Sequence, residues 1–318
     1  MGRRVVLLYE PIHEKALAVL RERADVRLAE SLEEEALLAA VGDVDGIIIR
    51  ANGRVSRKML EAAPNLKVVA RHGVGVEAID RQAAAERGVV VVNTPSANDE
   101  SVAEHCVGMM ILLAKRMLEA DRAARSGDWD ARYRLIGVEL YGKTLGLVGF
   151  GKIGQRVASI AHAGFAMTIL YNDVLAYPQA EASMAARRLP LEELLAAADF
   201  VSVHTPLLPT TRGLMGEAAL HQMKPTAYLF NTSRGPVVDQ EALIHALLEK
   251  RIAGAGLDVF DPEPLPPDSP LRTMDNVVLS PHMAAHTDEA LFRMAMVVSD
   301  VLAVIQGRAP ENPVPWEG

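Results

Sequence analysis

The strongest constraint on the fold is a double alternation of short apolar segments with amphipathic segments along the 318-residue chain. Before residue 94, five short segments rich in Val and Ile are predicted to be strands, and four predicted helices lie between them. Strands that alternate with helices form right-handed βαβ units around a parallel sheet. The predicted strands cover residues 5–9, 26–28, 46–50, 68–71 and 89–93.

A second alternation begins at Thr144. It follows a predicted helix of about 25 residues from Asn98, which carries an apolar stripe, and a polar connector after Gly127. Six strands separated by helices indicate a Rossmann-type domain, and one more helix is predicted at 287–305. The predicted strands cover residues 144–148, 168–171, 200–203, 228–231, 256–259 and 277–279.

The composition excludes several classes of partner. With 33 basic and 41 acidic residues the net charge is −8, so no global positive field attracts nucleic acid or an anionic membrane. The lone cysteine, Cys106, can form neither an intramolecular disulfide nor a thiolate metal cluster, and its neighbours place it on the apolar side of a helix. No apolar run approaches a membrane span. We expect a cytoplasmic protein without a metal, whose anionic ligands bind at a local site.

A glycine-rich loop follows the first strand of the second alternation. Gly149 permits the tight turn, Gly151 allows the backbone to approach a pyrophosphate, and Gly154 lets the next helix pack close to the strand. Asp173 stands 19 residues after Gly154, at the end of the next predicted strand, where a carboxylate accepts hydrogen bonds from an adenosine ribose. The same carboxylate repels a 2′-phosphate, so the sequence predicts NAD rather than NADP.

Three polar residues follow apolar strands in the second half of the chain: Arg234, Glu263 and His282. An arginine can hold a carboxylate with two hydrogen bonds, and a histidine paired with a carboxylate can give or take a proton near neutral pH. Each alone also fits a structural role, in a turn, a solvated loop or a strand end. Together, downstream of a nucleotide-binding loop, they indicate hydride transfer to or from a hydroxy acid.

Over nearly its whole length the sequence resembles the D-isomer-specific 2-hydroxyacid dehydrogenase family, closest to the 3-phosphoglycerate dehydrogenase branch in a short form without a regulatory domain. The resemblance implies a Rossmann NAD domain, residues 99–286, inserted into a flavodoxin-like substrate domain, residues 1–98 and 287–318. The matching segments are Arg71 to Gly75, Asn93 to Pro95, Val102 to His105, Gly142 to Gly146, His204 to Leu207 and Phe230 to Thr287.

The resemblance also implies roles for single residues. His282 exchanges the proton with the substrate, Glu263 orients its imidazole and raises its pKa, and Arg234 binds the substrate carboxylate and carbonyl. The backbone amides of Val74 and Gly75 bind the carboxylate as well. The remaining cofactor contacts are assigned to Lys152, Ile153, His204, Thr205, Pro206, Thr232 and Asp258, the last at the nicotinamide carboxamide.

The substrate is left open by the sequence. Arg50 and Arg71 match positions at which the phosphoglycerate branch carries substrate-binding arginines, although Arg50 fits an ordinary salt bridge equally well. Glyoxylate or hydroxypyruvate reduction is the alternative, and an NAD-sensing, corepressor-like binding protein is a rival of a different class. The family also implies a homodimer that uses the helix from Asn98 and the connector through Tyr141, although the apolar stripe of that helix equally fits a core.

Overall fold

The computed structural model describes residues 3–316. The chain divides into two compact units: unit 1 comprises Met1–Asn98 and His286–Gly318, and unit 2 comprises Asp99–Ala285. Each unit has one parallel sheet and its own helices, five strands in the first and seven in the second. The predicted α/β class is confirmed.

The strands and helices are numbered along the chain. The strands are β1 Arg4–Leu8, β2 Ala24–Leu28, β3 Gly46–Ile49, β4 Val68–Arg71, β5 Val90–Val92, β6 Thr144–Val148, β7 Thr168–Asn172, β8 Arg187–Arg188, β9 Phe200–Val203, β10 Tyr228–Asn231, β11 Gly254–Leu257 and β12 Val277–Leu279. The helices are α1 Glu14–Arg23, α2 Glu34–Ala40, α3 Arg57–Ala62, α4 Arg81–Glu86, α5 Asp99–Ala114, α6 Met117–Ser126, α7 Lys152–Phe165, α8 Pro178–Met184, α9 Leu191–Ala197, α10 Glu217–Gln222, α11 Gln240–Leu248, α12 Asp288–Ala295 and α13 Val298–Ile305.

The sheet of unit 1 has the strand order β2-β1-β3-β4-β5, which is the flavodoxin-like order. All four residues of β3 are buried, as expected for a strand that helices cover on both faces. Helices of this unit begin at polar caps: the side chains of Ser56, Asp80 and Thr287 each accept a hydrogen bond from the backbone N–H three residues later.

The C-terminal helices complete the core of unit 1. Val301 and Ile305 of α13 lie in one buried cluster with Val6, Ile48 and Val68 of the sheet. The single helix predicted at 287–305 is wrong in one respect, because the chain forms two helices, α12 and α13. The sequence pattern does not reveal this break, because the buried positions Ala290, Met294, Val298, Val301 and Ile305 continue at a spacing of three or four residues across it.

The sheet of unit 2 has the order β12-β11-β10-β9-β6-β7-β8. Six of its strands were predicted, although β11 begins at Gly254 rather than at residue 256. The seventh, β8, consists of two exposed arginines that pair with Leu170 and Tyr171 of β7. It carries no apolar signal, and only its pairing with β7 makes it a strand.

The long helix predicted from Asn98 is in fact two helices, α5 and α6. The chain turns at Arg116, which has a left-handed backbone (φ 52°) and whose guanidinium pairs with Glu119. The apolar stripe of α5 packs on the sheet, and Cys106 is fully buried as predicted. By contrast, α6 buries none of its residues. Within residues 3–316 no helix is both long and apolar enough to cross a membrane.

Candidate active site

The glycine-rich loop of unit 2 joins β6 to α7. Gly149 has φ +93°, and a Cβ there would lie 2.7 Å from the carbonyl carbon of His204. A Cβ on Gly154 would lie 2.6 Å from the carbonyl oxygen of Gly149, so this glycine is required for the close approach of helix and strand. A Cβ on Gly151 would meet nothing within 4 Å. Gly151 therefore leaves space beside the N-terminus of α7.

The surroundings of this loop fit a dinucleotide. The first residues of α7 are Lys152, with an exposed side chain, and Ile153, which is partly buried. At the ends of β9 and β10, the hydroxyl oxygens of Thr205 and Thr232 are buried and have no hydrogen-bond partner within the described chain. Buried hydroxyls are normally satisfied, so these two atoms indicate a polar ligand. Pro206, the next predicted contact, is exposed.

Asp173 lies directly after β7 and is tied to the glycine loop. Its Oδ2 accepts a hydrogen bond from the backbone N–H of Phe150 (2.6 Å), and its Oδ1 accepts one from Leu175 (2.9 Å). A carboxylate has about four acceptor positions, so two remain for a ribose diol. Sequence reasoning missed Arg188 on β8, whose Nη2 donates to the carbonyl oxygens of Asp173 (2.7 Å) and Val174 (3.0 Å).

His204 follows β9 with a neutral imidazole. Its Nε2 lies 2.9 Å from Ser202 Oγ, which in turn lies 3.1 Å from Cys106 Sγ. Burial lowers the pKa of His204 to about 4, and burial raises the pKa of the Cys106 thiol to about 12. Neither group carries a charge at neutral pH. Cys106, Ser202 and His204 thus form a neutral hydrogen-bonded chain, and His204 lies against Gly149 and Gly154 of the glycine loop.

His282 and Glu263 form an ion pair in unit 2. His282 Nδ1 lies 2.8 Å from Glu263 Oε2, and Glu263 Oε1 accepts a hydrogen bond from the backbone N–H of Phe260 (3.0 Å). The hydrogen bond to Glu263 raises the pKa of His282 above its usual value, against burial and the charge of Arg234. Burial acts to raise the pKa of Glu263, but the bonds from His282 and Phe260 outweigh it and hold that pKa low.

Arg234 lies next to this pair, just after β10. One of its Nη atoms donates to the carbonyl oxygen of Ser233 (2.7 Å), and its charge acts on both Glu263 and His282. Gly235 must remain a glycine, because a Cβ there would lie 1.9 Å from the carbonyl oxygen of Phe260. This close approach brings the segment after Arg234 against the segment that carries Glu263.

Asp258 lies under the turn that carries His282. It is 1% exposed, and its carboxylate accepts hydrogen bonds from Ser280 Oγ (2.5 Å) and from the backbone N–H groups of Met283 (2.8 Å) and Ala284 (2.9 Å). Its predicted contact with a nicotinamide carboxamide stays a prediction, and these three bonds leave about one acceptor position for it. The sequence did not indicate the bond to Ser280.

The predicted substrate residues of unit 1 lie at or just after the ends of β3 and β4. Arg50 donates to the carbonyl oxygen of Pro11 (2.9 Å), and Arg71 donates to the carbonyl oxygen of Arg50. Near both guanidinium groups, the buried His72 has its pKa lowered to about 4, by burial first and then by the charge of Arg50. The charges of Arg50 and Arg71 thus act at one end of the sheet, where the Glu10 carboxylate also accepts hydrogen bonds from the backbone N–H groups of Ala51 (2.6 Å) and Asn52 (2.8 Å).

The loop after β4 is held by two side chains from the end of β5. Thr94 bonds both the N–H and the carbonyl of Gly73 through its hydroxyl (3.2 Å each), and Asn93 Nδ2 donates to the carbonyl oxygen of Val74 (2.7 Å). Val74 is exposed and Gly75 partly so. The backbone N–H groups of a loop fixed in this way can bind an anion.

Comparisons with known proteins identify the family. The model of the "D-isomer specific 2-hydroxyacid dehydrogenase, NAD binding domain" matches residues 107–284. The chain belongs to this family. It is an NAD-dependent D-2-hydroxyacid dehydrogenase, and the matched residues lie within unit 2, which holds the glycine loop and the His282–Glu263 pair.

Two names recur among the relatives of this dehydrogenase. It is 41% identical over 97% of its length to a D-3-phosphoglycerate dehydrogenase of Methanocaldococcus jannaschii, of which it spans 59%. It is also 41% identical over 98% of its length to a glyoxylate reductase of Korarchaeum cryptofilum, of which it spans 96%. A crystal structure of a Thermus thermophilus protein superposes with a TM-score of 0.92 at 41% identity, covering 98% of this chain and 99% of that one.

Proposed function

We propose that this dehydrogenase interconverts a small D-2-hydroxy acid and its 2-keto acid, with His282 as proton donor and acceptor. The observation that carries the proposal is the 2.8 Å bond between His282 Nδ1 and Glu263 Oε2, in the unit that also holds the nucleotide loop. A carboxylate bound at Nδ1 fixes a proton on that nitrogen, so Nε2 is the atom that exchanges a proton with substrate.

Each polar group then has a distinct task. In reduction, Nε2–H of the His282 imidazolium gives its proton to the keto oxygen, and in oxidation neutral Nε2 accepts the proton of the hydroxyl group. Glu263 stabilises the imidazolium that exists before reduction and after oxidation. Arg234 holds the substrate carboxylate and polarises the carbonyl. When bound, NADH supplies the hydride for the carbonyl carbon.

The nicotinamide dinucleotide is assigned to unit 2, which also holds Arg234. We propose that Gly149, Gly151 and Gly154, with the N-terminus of α7, accommodate the pyrophosphate, while Asp173 binds the ribose. The fixed loop that contains Val74 and Gly75 supplies N–H groups to the carboxylate. On this basis residues 1–98 and 287–318 form the substrate domain, and residues 99–286 form the NAD domain.

The substrate that we propose first is 3-phosphoglycerate. A phosphate dianion requires local positive charge, and Arg50 and Arg71 supply it at one end of the sheet in unit 1. Glyoxylate or hydroxypyruvate is the second candidate. It is favoured by the bonds of Arg50 and Arg71 to backbone carbonyls, because these bonds give both guanidinium groups a structural role without phosphate.

A substrate panel with matched variants distinguishes the two candidates. NADH absorbance would be followed with 3-phosphoglycerate in oxidation and with glyoxylate, hydroxypyruvate and pyruvate in reduction. If phosphate is recognised, Arg50→Ala raises KM for phosphoglycerate by about 10- to 100-fold, from loss of about 1.5–3 kcal/mol of charge-assisted bonding, and leaves KM for glyoxylate unchanged. No turnover on any acid would instead indicate an NAD-sensing binding protein.

A second experiment tests the role of His282. His282→Asn removes the transferable proton, so kcat should fall by about 10²- to 10⁴-fold while the variant still binds NADH, measured by quenching of protein fluorescence. Near wild-type turnover with intact NADH binding would contradict the proposed mechanism.

We propose a homodimer formed through α6 and the connector after it. Several large side chains of this segment are exposed: Trp129 (68%), Tyr133 (68%), Ile136 (78%) and Tyr141 (72%). Several large exposed side chains within one short segment are typical of an interface. Light scattering coupled to size-exclusion chromatography should give twice the 34.3 kDa chain mass. Replacing Trp129 and Ile136 by Glu should shift the protein toward a monomer.

A further inference from the structure

The turn that carries His282 is anchored at both ends by one helix, α5. Ser101 Oγ donates to the carbonyl oxygen of Ala284 (2.7 Å), and His105 Nε2 lies 2.9 Å from Ser280 Oγ. Ser101 and His105 are four residues apart, and side chains at this spacing lie on the same side of a helix. The two side chains thus hold the residues before and after His282.

The direction of the bond at His105 follows from its partners. Ser280 has one hydroxyl proton, which it donates to Asp258 Oδ1 at 2.5 Å, because an ionised carboxylate only accepts. Ser280 Oγ must therefore accept from His105, so Nε2 of His105 carries a proton. The resulting chain runs from the imidazole N–H through the hydroxyl to the buried carboxylate. It connects α5 to Asp258, which itself binds the backbone of Met283 and Ala284.

His282 needs such support because of its own backbone. It has φ +50°, a left-handed conformation that is unfavourable for a residue with a side chain. The bonds of its backbone N–H to the carbonyl oxygens of Asp258 (2.8 Å) and Ser280 (3.1 Å) depend on the same turn. The side chains of His282 and Glu263 are 55% and 37% exposed, so water competes for their bond once the turn moves.

We propose that His105 and Ser101 are positioning residues for proton transfer: from α5 they hold the 280–284 turn so that His282 stays in contact with Glu263. The inference rests on the proposed role of His282. Neither residue touches the reacting atoms. Their effect reaches the reaction through Ser280, Asp258 and the conformation of the turn.

The test compares two replacements of one side chain. His105→Leu removes the N–H donor, whereas His105→Gln keeps an N–H close to the position of Nε2. The charged and titratable groups that act on His282 are Glu263, Asp258 and Arg234, with His105 beyond Ser280. None of the first three is changed by either variant. Both variants remove the imidazole that lies 3.8 Å from Asp258 Oδ1, so a shift in the pH profile that occurs in His105→Leu and not in His105→Gln reports the geometry of the His282–Glu263 bond.

For His105→Leu we expect kcat for keto-acid reduction to fall by about tenfold, as for a displacement of well under 1 Å at a reacting group. The decline of kcat at high pH should move to lower pH, because His282 loses part of the bond that keeps it protonated. The Kd of NADH, from fluorescence, should stay within about twofold. His105→Gln should restore both kcat and the pH profile, and the exposed-histidine control His221→Leu should match wild type.

Two results would overturn the inference: a wild-type pH profile in His105→Leu, or equal defects in His105→Leu and His105→Gln, which would indicate packing alone. If thermal melting shows that His105→Leu is not folded, a second pair of variants replaces it. Ser280→Ala removes the hydroxyl that links His105 to Asp258, and Ser280→Thr keeps it. Retained turnover in His282→Asn would instead refute the proposed function, whatever His105 does. If His282→Asn has no turnover while His105→Leu has wild-type kcat and a wild-type pH profile, only the positioning role is refuted.

Discussion

Three glycines along one helix give a quantitative test of the nucleotide loop. Gly151 caps α7, Gly154 lies in its first turn and Gly164 lies near its end. A Cβ on Gly154 would stand 2.6 Å from the carbonyl oxygen of Gly149, whereas nothing lies within 4 Å of a Cβ on Gly151 or Gly164. The same substitution, Gly to Ala, therefore meets one crowded position and two open ones, of which only Gly151 lies at the N-terminus of the helix.

The magnitude for Gly154→Ala follows from that contact. An ordinary Cβ contact begins at 3.4 Å, so α7 and the loop must separate by about 0.8 Å, and overpacking of this kind costs about 1–3 kcal/mol. Because Ala has a higher helix propensity than Gly, the substitution also stabilises the folded state by about 0.5–1 kcal/mol. The net loss is about 0–2.5 kcal/mol, with a central value of about 1 kcal/mol. For a unit of this size the central value lowers Tm by about 2–4 °C.

The two other substitutions are the controls. Gly164→Ala changes only the helix propensity, which stabilises the folded state by about 0.5–1 kcal/mol, so Tm should rise slightly. Gly151→Ala should leave Tm within about 1–2 °C of wild type, since its φ of −66° suits any residue. Its methyl group would occupy the space assigned to the pyrophosphate, so the Kd for NADH should rise by about tenfold or more.

Thermal melting without cofactor, followed by fluorescence titration with NADH, measures both effects. A Gly154→Ala protein as stable as Gly164→Ala would refute the close packing of helix and strand. Wild-type NADH affinity in Gly151→Ala would refute the assignment of the pyrophosphate to this loop, even if the stabilities follow the expected order.

Two further predictions concern pH and cofactor choice. Reduction requires protonated His282, so the rate of reduction falls as pH rises through the pKa of His282. Glu263 raises that pKa, so in Glu263→Gln the loss of reduction and the onset of oxidation should both move to lower pH. The kcat of this variant should also be lower by about tenfold or more. Unchanged pH profiles in both directions would contradict the ion pair. Asp173→Ser should increase kcat/KM with NADP relative to NAD by about tenfold, because a carboxylate that repels the 2′-phosphate is gone. An unchanged cofactor ratio would show that a group other than the Asp173 carboxylate sets the preference, and Arg188, which donates to the carbonyl oxygen of Asp173, would be examined next.

Local sequence patterns were sufficient for the main architecture. Short Val- and Ile-rich segments and amphipathic helices depend on neighbours two to four positions away, so both parallel sheets could be predicted from them. The spacing of Gly149, Gly151 and Gly154 likewise encodes a loop whose geometry is local. The predictions failed where local patterns are silent: the turn at Arg116, the separation of α12 from α13, and the two-residue strand β8.

The sequence by itself determined two α/β units, a nucleotide loop and the residue types needed for hydride transfer. Only the tertiary structure decided which partners these residues have. Ser280 meets His105 across 175 positions of chain, and Asp258 bonds the turn after His282 rather than solvent. Such contacts depend on how distant segments pack, and the free energy of a buried hydrogen bond exists only once both partners have left water. For this reason His282 and Glu263 could be identified in the sequence, whereas only the fold brings His282 Nδ1 within 2.8 Å of Glu263 Oε2.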